Sequence, residues 1–176
     1  LAALALIKDR LPAFEFRVLG GGDKGPWEKL IRQFNIDGAV HLQGTLPSGE
    51  PVLSWLDDVD IYLQPSLKEG LPRALIEAMS RGCPALGSKV AGIPELLPSE
   101  VLHRPGDAKQ LAALMMHMVS SQDWRAAQAK RNFDVAKGYA KEILEPRRRA
   151  FWQRFAVAAA SQKGSHSGAM RNAIAS

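Results

Sequence analysis

The sequence predicts an α/β domain in which a Rossmann-like parallel sheet is covered by helices, with extra helices near the C-terminus. Short apolar runs typical of strands alternate with longer segments of helical periodicity, and glycine- or proline-containing turns separate them. Strands that alternate with helices form parallel sheets, and 176 residues are enough to bury one core.

The strand predictions rest on apolar residues that alternate or run together and end at glycine or proline. Phe14, Phe16 and Val18 alternate with other residues before a glycine-rich run at 20–25. Pro65 ends a later strand. The five predicted strands lie at residues 14–19, 39–44, 59–64, 84–87 and 101–103.

The helix predictions rest on apolar residues spaced three or four apart. The central helix is predicted at residues 71–81, and Asp107 is suited to the N-cap of a later helix. The buried stripe of the central helix is expected to consist of Leu71, Leu75, Ala78 and Met79. A turn and a short helix are predicted at residues 47–57, and further helices at residues 26–34, 94–97, 123–137 and 141–159.

Residues 1–160 are predicted to form one domain. The segment 161–176 is rich in Ser, Gly and Ala without periodicity, and is predicted to be a tail that is disordered or left over from cloning. Because the sequence starts at Leu1 rather than Met, we expect a piece of a longer protein.

Composition favours a cytoplasmic protein. No apolar run approaches the roughly 18–20 residues of a membrane span, and the single cysteine, Cys83, is expected to be buried and gives no disulfide framework. The net charge of +5 is modest, and no nucleic-acid-binding signature accompanies it. The basic run Arg147, Arg148 and Arg149 leaves open a contact with the inner face of a membrane, although a solvated helix face explains it as well.

Two glutamates eight positions apart flank the start of the central helix. Glu69 precedes the helix and Glu77 lies two turns into it, so both can face one small polar ligand at the helix N-terminus. Between them, the step Gly70-Leu71-Pro72 exposes the backbone N–H groups of Gly70 and Leu71, where an anion is favoured. An anion at the helix end and hydroxyls bound by a carboxylate describe a nucleotide-sugar site.

Residues 64–97 resemble the E-x7-E region of the retaining GT-B glycosyltransferases, known as glycosyltransferase family 4 or glycosyl transferases group 1. The matching elements, in family order, are Gln64-Pro65-Ser66, Glu69-Gly70-Leu71-Pro72, Glu77-Ala78-Met79, Gly82-x-Pro84 and Gly92-Ile93-Pro94-Glu95. The resemblance extends over residues 14–137 and implies the C-terminal, donor-binding half of a GT-B fold. Ala91 stands where the family commonly has glycine, which suggests a relaxed backbone requirement there.

The resemblance implies a hexosyltransferase that moves a sugar from UDP-, GDP- or ADP-sugar to an acceptor hydroxyl in polysaccharide or glycolipid synthesis. It implies that Glu69 is the catalytic group near the donor sugar and that Glu77 accepts hydrogen bonds from the ribose hydroxyls. It also implies that the stretch Gly70, Leu71 and Pro72 meets the diphosphate, through the N–H groups of Gly70 and Leu71.

Two acidic motifs, Glu77 and Asp58-x-Asp60, each have a structural explanation as well as a ligand-binding one. Arg73 and Arg81 each lie four residues from Glu77, so an exposed ion pair on the helix would account for that glutamate without a ligand. Asp58-x-Asp60 imitates the metal motif of another glycosyltransferase fold, but Asp60 is placed in a buried strand, and no metal or other cofactor is expected.

Gly20, Gly22 and Gly25 formally satisfy the dinucleotide-binding fingerprint. That fingerprint needs an acidic residue at the end of the next strand, where this chain has Gly44 and Thr45. The resemblance implies instead that Gly20, Gly22 and Gly44 line the nucleotide pocket.

The resemblance further implies that the first strand of the family's C-terminal domain, with an Arg and a Lys that clamp the diphosphate, precedes Leu1, and that a missing N-terminal domain binds the carbohydrate or glycolipid acceptor. We therefore expect the chain alone to be inactive. Two other functions stay open: a non-catalytic nucleotide-sugar-binding or regulatory module, and a GT-B sugar-nucleotide epimerase.

Overall fold

The computed structural model describes the backbone of residues 1–172 and the side chains of residues 1–159, and it confirms the α/β class. The chain divides into two compact units, Leu1–Ala136 and Lys137–Ser176. All strands of the described chain belong to the first unit, and the second is formed mainly by one long helix.

The elements alternate as expected. The strands are β1 (Phe16–Leu19), β2 (Val40–Gly44), β3 (Tyr62–Gln64), β4 (Ala85–Ser88) and β5 (Leu102–His103). The helices are α1 (Ala2–Ala5), α2 (Gly25–Gln33), α3 (Glu50–Asp57), α4 (Arg73–Ser80), α5 (Ile93–Leu96), α6 (Ala108–Ser120), α7 (Gln122–Lys137) and α8 (Lys141–Asn172). Short 3₁₀ turns occupy Lys8–Arg10 and Ser99–Val101.

The strands form two parallel sheets. In one, β1 pairs with β2; in the other, the order is β3–β4–β5. Strands β1 and β3 both line a cavity of about 1000 Å³, whose wall includes Phe16, Val18, Tyr62, Leu63 and Glu77. Because every pairing is parallel, the carboxyl ends of the strands in each sheet lie at one edge, where ligands bind in α/β folds.

The core lies around β4 and α4. All four residues of β4 are buried, as expected for a central strand covered on both faces. Leu75, Ala78 and Met79 of α4 are fully buried, which confirms three members of the predicted stripe.

The fourth member, Leu71, was placed wrongly. It is 45% exposed and lies outside α4, which begins at Arg73. The residue before a proline is disfavoured in the helical region, and Pro72 itself is extended, with ψ 111°. The helix therefore starts two residues later than the pattern suggested.

Side-chain hydrogen bonds fix the later helices of the first unit. Asp107 caps α6 as predicted, because its Oδ1 accepts the Gln110 N–H at 2.9 Å. In α7, the fully buried Asn132 donates from Nδ2 to the Cys83 carbonyl at 2.9 Å. Cys83 is 3% exposed, which confirms its predicted burial.

The backbone of α8 is helical to Asn172, past residue 159 where the sequence predicts the helix to end. The alanines from Ala156 to Ala160 are strong helix formers and favour this continuation. The boundary at 160 and the disordered tail stay predictions, and residues 173–176 lie outside the described part. Within that part, every helix is too short or too polar to span a bilayer.

Candidate functional site

Glu69 lies on the loop that follows β3, and its carboxylate is fixed by the last residue of β3 and by a residue of the same loop. Its Oε2 accepts hydrogen bonds from Gln64 Nε2 at 3.1 Å and from Ser66 Oγ at 3.0 Å. Glu69 is half-buried, whereas its neighbours Lys68 and Gly70 are exposed. The negative charge is therefore oriented at the carboxyl end of a parallel strand.

Tyr62 connects the surroundings of both predicted glutamates. Its hydroxyl donates to Gln64 Oε1 at 2.8 Å. Burial raises the pKa of the Tyr62 phenol, the negative charge of Glu77 raises it further, and Cys83 and Glu69 add to the same direction. Glu69 and Glu77 thus both lie within electrostatic reach of one phenol.

Glu77 projects from α4 and lines the cavity beside β1 and β3. The ion pair that would explain it structurally does not form with Arg81, because Arg81 binds Asp57 through two hydrogen bonds of 2.6 and 2.7 Å. No salt bridge found among the described side chains includes Glu77. Its carboxylate is therefore available to a ligand.

The segment between the two glutamates presents backbone N–H groups. The Gly70 N–H reaches only Glu69 Oε1, at 3.3 Å. The helical bonding of α4 begins with the Ile76 N–H, which donates to the Pro72 carbonyl at 3.3 Å. The N–H groups of the first helical turn consequently have no partner within the helix, and they favour an anion there.

The residues after β4 support this segment. The Gly92 N–H donates to the Gly70 carbonyl at 3.0 Å, and Gly92 is buried. Ala91 has φ 40°, a left-handed conformation that glycine adopts more readily. The expectation that this position has lost its glycine-like backbone requirement is therefore wrong: alanine occupies the conformation under strain.

Two of the predicted glycines beside the first sheet are in contact. The Gly20 N–H, after β1, donates to the carbonyl of Gly44 at the end of β2, at 2.6 Å. Gly22 and Gly44 have φ values of 107° and 82°, which explains why glycine stands at both. Lys24 reaches across this loop and donates from Nζ to the Leu42 carbonyl at 2.8 Å.

The structure therefore groups the predicted residues into three sets. Glu77 lines the cavity, and none of the other predicted site residues does. Glu69 and Gly70 share the loop after β3 with the exposed Leu71 and the buried Pro72. Gly20, Gly22 and Gly44 lie at the carboxyl ends of β1 and β2.

Asp60 was assigned to the wrong environment. Asp60 is exposed in the bend before β3. The strand begins only at Tyr62, so the first residues of the predicted strand at 59–64 lie outside it. Among the residues whose side chains the structure describes, His, Cys, Asp and Glu form no group of three that could hold a metal ion.

Four polar residues around Glu69 were given no function by the sequence prediction: Tyr62, Gln64, Ser66 and Ser88. Gln64 and Ser66 were visible as polar residues two apart at a strand end, which places them on the same side of the extended chain. Ser88 comes from another strand, and only the fold reveals that its hydroxyl donates to the Ser66 carbonyl at 2.5 Å.

The sequence has curated relatives in bacterial polysaccharide synthesis. It is 39% identical over 119 residues to the putative colanic acid biosynthesis glycosyltransferase WcaL of Escherichia coli, a match that covers 60% of this chain and 28% of WcaL. It is 36% identical over 126 residues to the amylovoran biosynthesis glycosyltransferase AmsK of Erwinia amylovora, covering 66% of this chain and 31% of AmsK. The chain thus spans less than a third of these two relatives.

Solved structures show the same fold. Sucrose-phosphate synthase from Thermosynechococcus elongatus matches with a TM-score of 0.77 at 22% identity, over 89% of this chain and 42% of that one. Anabaena Alr3699/HepE in complex with UDP gives a TM-score of 0.71 at 18% identity, over 88% and 44%. The C-terminal domain of the group 1 glycosyl transferase LpcC from Francisella tularensis gives 0.66 at 20%, over 77% and 74%.

The family model described as glycosyl transferases group 1 matches residues 1–121, which is more than half of the sequence. The resemblance drawn from residues 64–97 is confirmed at the level of the family and its GT-B fold. This chain belongs to the glycosyl transferases group 1 family.

Proposed function

We propose that this chain is the donor-binding half of a retaining glycosyltransferase, which transfers a hexose from a nucleoside-diphosphate sugar to an acceptor hydroxyl. The arrangement of Glu69 and Glu77 around Tyr62 is the main support for this proposal. Glu69 is fixed on the loop before α4, Glu77 faces the cavity from α4 without an ion pair, and both act on the Tyr62 phenol.

Each part of the donor has a group suited to it. The Glu77 carboxylate can accept two O–H bonds side by side, which suits the ribose hydroxyls. The diphosphate lies at the Gly70–Leu71 backbone and the first turn of α4, whose positive potential stabilises charge on the leaving phosphate without requiring a metal ion. The backbone of Gly20, Gly22 and Gly44 allows close approach of the nucleoside.

Known proteins of this fold support the choice of donor and acceptor. Structures of Anabaena HepE are described as complexes with UDP and with UDP-glucose. The curated relatives are described as glycosyltransferases of colanic acid and amylovoran biosynthesis. We propose UDP-, GDP- or ADP-sugar as donor, a growing polysaccharide or glycolipid as acceptor, and retention through attack on the face that the leaving phosphate vacates.

The sheets support a further strand from the same polypeptide. In a doubly wound sheet of order 3-2-1-4-5-6, strand 1 lies between strands 2 and 4, to which β1 and β3 correspond. Here β1 and β3 line the same cavity. We propose that a parallel strand preceding Leu1 lies there. Hydrogen exchange tests it: a longer polypeptide with the upstream segment should protect amides of β1 and β3 that exchange quickly in residues 1–176, while β4 stays protected in both.

Calorimetric titration of the full-length protein with UDP, GDP and ADP tests the donor site. We expect one nucleotide to bind the wild type and Glu145→Ala, which removes an exposed carboxylate from α8, and to lose measurable binding to Glu77→Ala. Failure of all three nucleotides to bind the wild type would contradict the proposal.

Turnover then separates the transferase from the two alternatives. Glu69→Ala should bind the nucleotide normally and lose chiefly the rate of transfer. Nucleotide binding with no turnover by the wild type would indicate a binding or regulatory module, and conversion of a nucleotide sugar without any acceptor would indicate an epimerase.

A further inference from the structure

The two oxygens of Glu69 have different surroundings. Oε2 accepts two hydrogen bonds, from Gln64 Nε2 at 3.1 Å and Ser66 Oγ at 3.0 Å. Oε1 has only the N–H of the adjacent Gly70, at the long distance of 3.3 Å. Hydrogen bonds in proteins extend to about 3.2 Å for an N–H donor and about 3.0 Å for an O–H donor, which includes both bonds to Oε2 and excludes the contact to Oε1, so Oε1 keeps most of its accepting capacity. Oε2 is held by the protein, and Oε1 is left for another donor.

The donors of this network can be assigned without conflict. Gln64 Nε2 has two hydrogens, and they serve Glu69 Oε2 and Ser66 Oγ, the latter at 2.9 Å. Ser66 Oγ accepts that bond and donates its own hydrogen to Glu69. Gln64 Oε1 accepts from the Tyr62 hydroxyl at 2.8 Å. The opposite orientation of the Gln64 amide would place Oε1 against the Glu69 carboxylate, where no hydrogen is available.

The network is anchored to the second sheet on both sides. Gln64 is the last residue of β3 and pairs with Gly87 of β4. Ser88, which follows Gly87 and is fully buried, donates its hydroxyl to the Ser66 carbonyl at 2.5 Å. Pro65, which lies between Gln64 and Ser66, limits the backbone to one φ region. The two donors to Glu69 are therefore placed by the strands, while Glu69 itself lies on a loop.

We propose that Gln64 and Ser66 are positioning residues that hold the Glu69 carboxylate by Oε2 so that Oε1 faces the donor sugar. This inference rests on the proposed function, in which Glu69 acts at the sugar. A catalytic group displaced by about 1 Å can lose about a hundredfold in rate. Neither Gln64 nor Ser66 is itself placed on the substrate, so their loss should affect the chemical step more than nucleotide binding.

Kinetics of the full-length protein provide the first test. Gln64→Ala and Ser66→Ala should each lower kcat by roughly ten- to a hundredfold, with the KM for the donor changed by less than about threefold. Ser66→Thr, which keeps the hydroxyl, should restore most of the rate. In a Glu69→Ala background, Gln64→Ala should cost almost nothing more, because the group it positions is already gone.

Gln33→Ala and Ser99→Ala are matched controls, since both side chains are exposed on other elements. They should leave kcat unchanged. Full additivity of Gln64→Ala and Glu69→Ala, or an effect confined to KM, would overturn the positioning role while leaving the transferase assignment intact.

Crystal structures of Gln64→Ala and Ser66→Ala provide a second test that needs no turnover. The Glu69 carboxylate should rotate away from its wild-type position or show several conformations, and more so in the double variant. An unchanged, well-ordered carboxylate in the double variant would overturn the proposal. If the wild type showed no transfer, this experiment would still decide the positioning role, and only the proposed function would fall.

Discussion

The N–H of Gly92 donates a hydrogen bond to the carbonyl of Gly70 at 3.0 Å, which joins two segments 22 positions apart in the sequence. A Cβ added to Gly92 would lie 2.7 Å from that carbonyl oxygen and 3.0 Å from the Leu71 Cα. Glycine is required here by close contact between two backbones rather than by φ. The Gly92-Ile93-Pro94-Glu95 element thus supports the backbone that, in the proposed function, meets the diphosphate.

We predict that Gly92→Ala destabilises the protein by about 1–3 kcal/mol, the usual cost of overpacking, because the atoms in the way are backbone. Urea unfolding measures it. Gly70→Ala is the control within the same contact, since nothing lies within 4 Å of a Cβ there. It should keep the wild-type stability and weaken nucleotide binding only. Equal unfolding free energies for Gly92→Ala and the wild type would contradict the role of close contact.

The sequence predicted correctly those features that depend on residues within a single helix or strand. The Asp107 cap, the burial of Leu75, Ala78 and Met79, and the alternation of strands and helices follow from short-range chemistry. The start of α4 was misplaced because Leu71 fits the apolar period, although the following proline disfavours a helical conformation.

Contacts between distant segments were not predictable from one sequence. The pair of Arg81 with Asp57 spans 24 positions and removes one of the two ion pairs that would explain Glu77 without a ligand. The bond from Ser88 to Ser66 spans 22 positions and fixes the loop of Glu69. Such pairings depend on strand order, which periodicity does not determine.

Asn132 ties α7 to the core, and we predict that Asn132→Ala lowers stability by roughly 1–3 kcal/mol. Its side chain is fully buried, and its loss leaves the Cys83 carbonyl without the 2.9 Å hydrogen bond. Urea unfolding should show the loss, whereas Gln122→Ala, an exposed amide on the same helix, should change little. Similar small effects for both variants would mean that water replaces the lost donor.

Cys83 should be unreactive in the folded protein. Burial raises the pKa of its thiol to about 11, the negative charge of Asp57 adds to this, and Arg81 partly opposes it. Only the thiolate reacts with disulfide reagents, and 3% of the residue is exposed. We expect Ellman's reagent to release almost no thionitrobenzoate at about pH 8 before unfolding and one equivalent after unfolding in urea. Rapid release from the folded protein would contradict the burial.

The charge of Asp107 should make the stability of the first unit depend on pH in acid. The Gln110 N–H, the largest cause, lowers the pKa of the Asp107 carboxyl. Burial opposes this shift, and Arg104 at 3.0 Å lowers the pKa further through its hydrogen bond and its charge. A carboxyl whose pKa is lower in the folded state contributes stability above its unfolded pKa of about 3.9 and loses it as the pH falls through the folded value.

Asp107→Asn separates the charge from the cap, because the amide oxygen can still accept the Gln110 N–H. We therefore predict that the wild type is more stable than Asp107→Asn near neutral pH and that the difference shrinks as the pH falls below about 4. Asp107→Ala, which loses both cap and charge, should stay less stable than Asp107→Asn throughout. Urea unfolding across this pH range measures all three proteins. A difference between the wild type and Asp107→Asn that stays constant into acid would show that the carboxylate charge adds nothing to the cap.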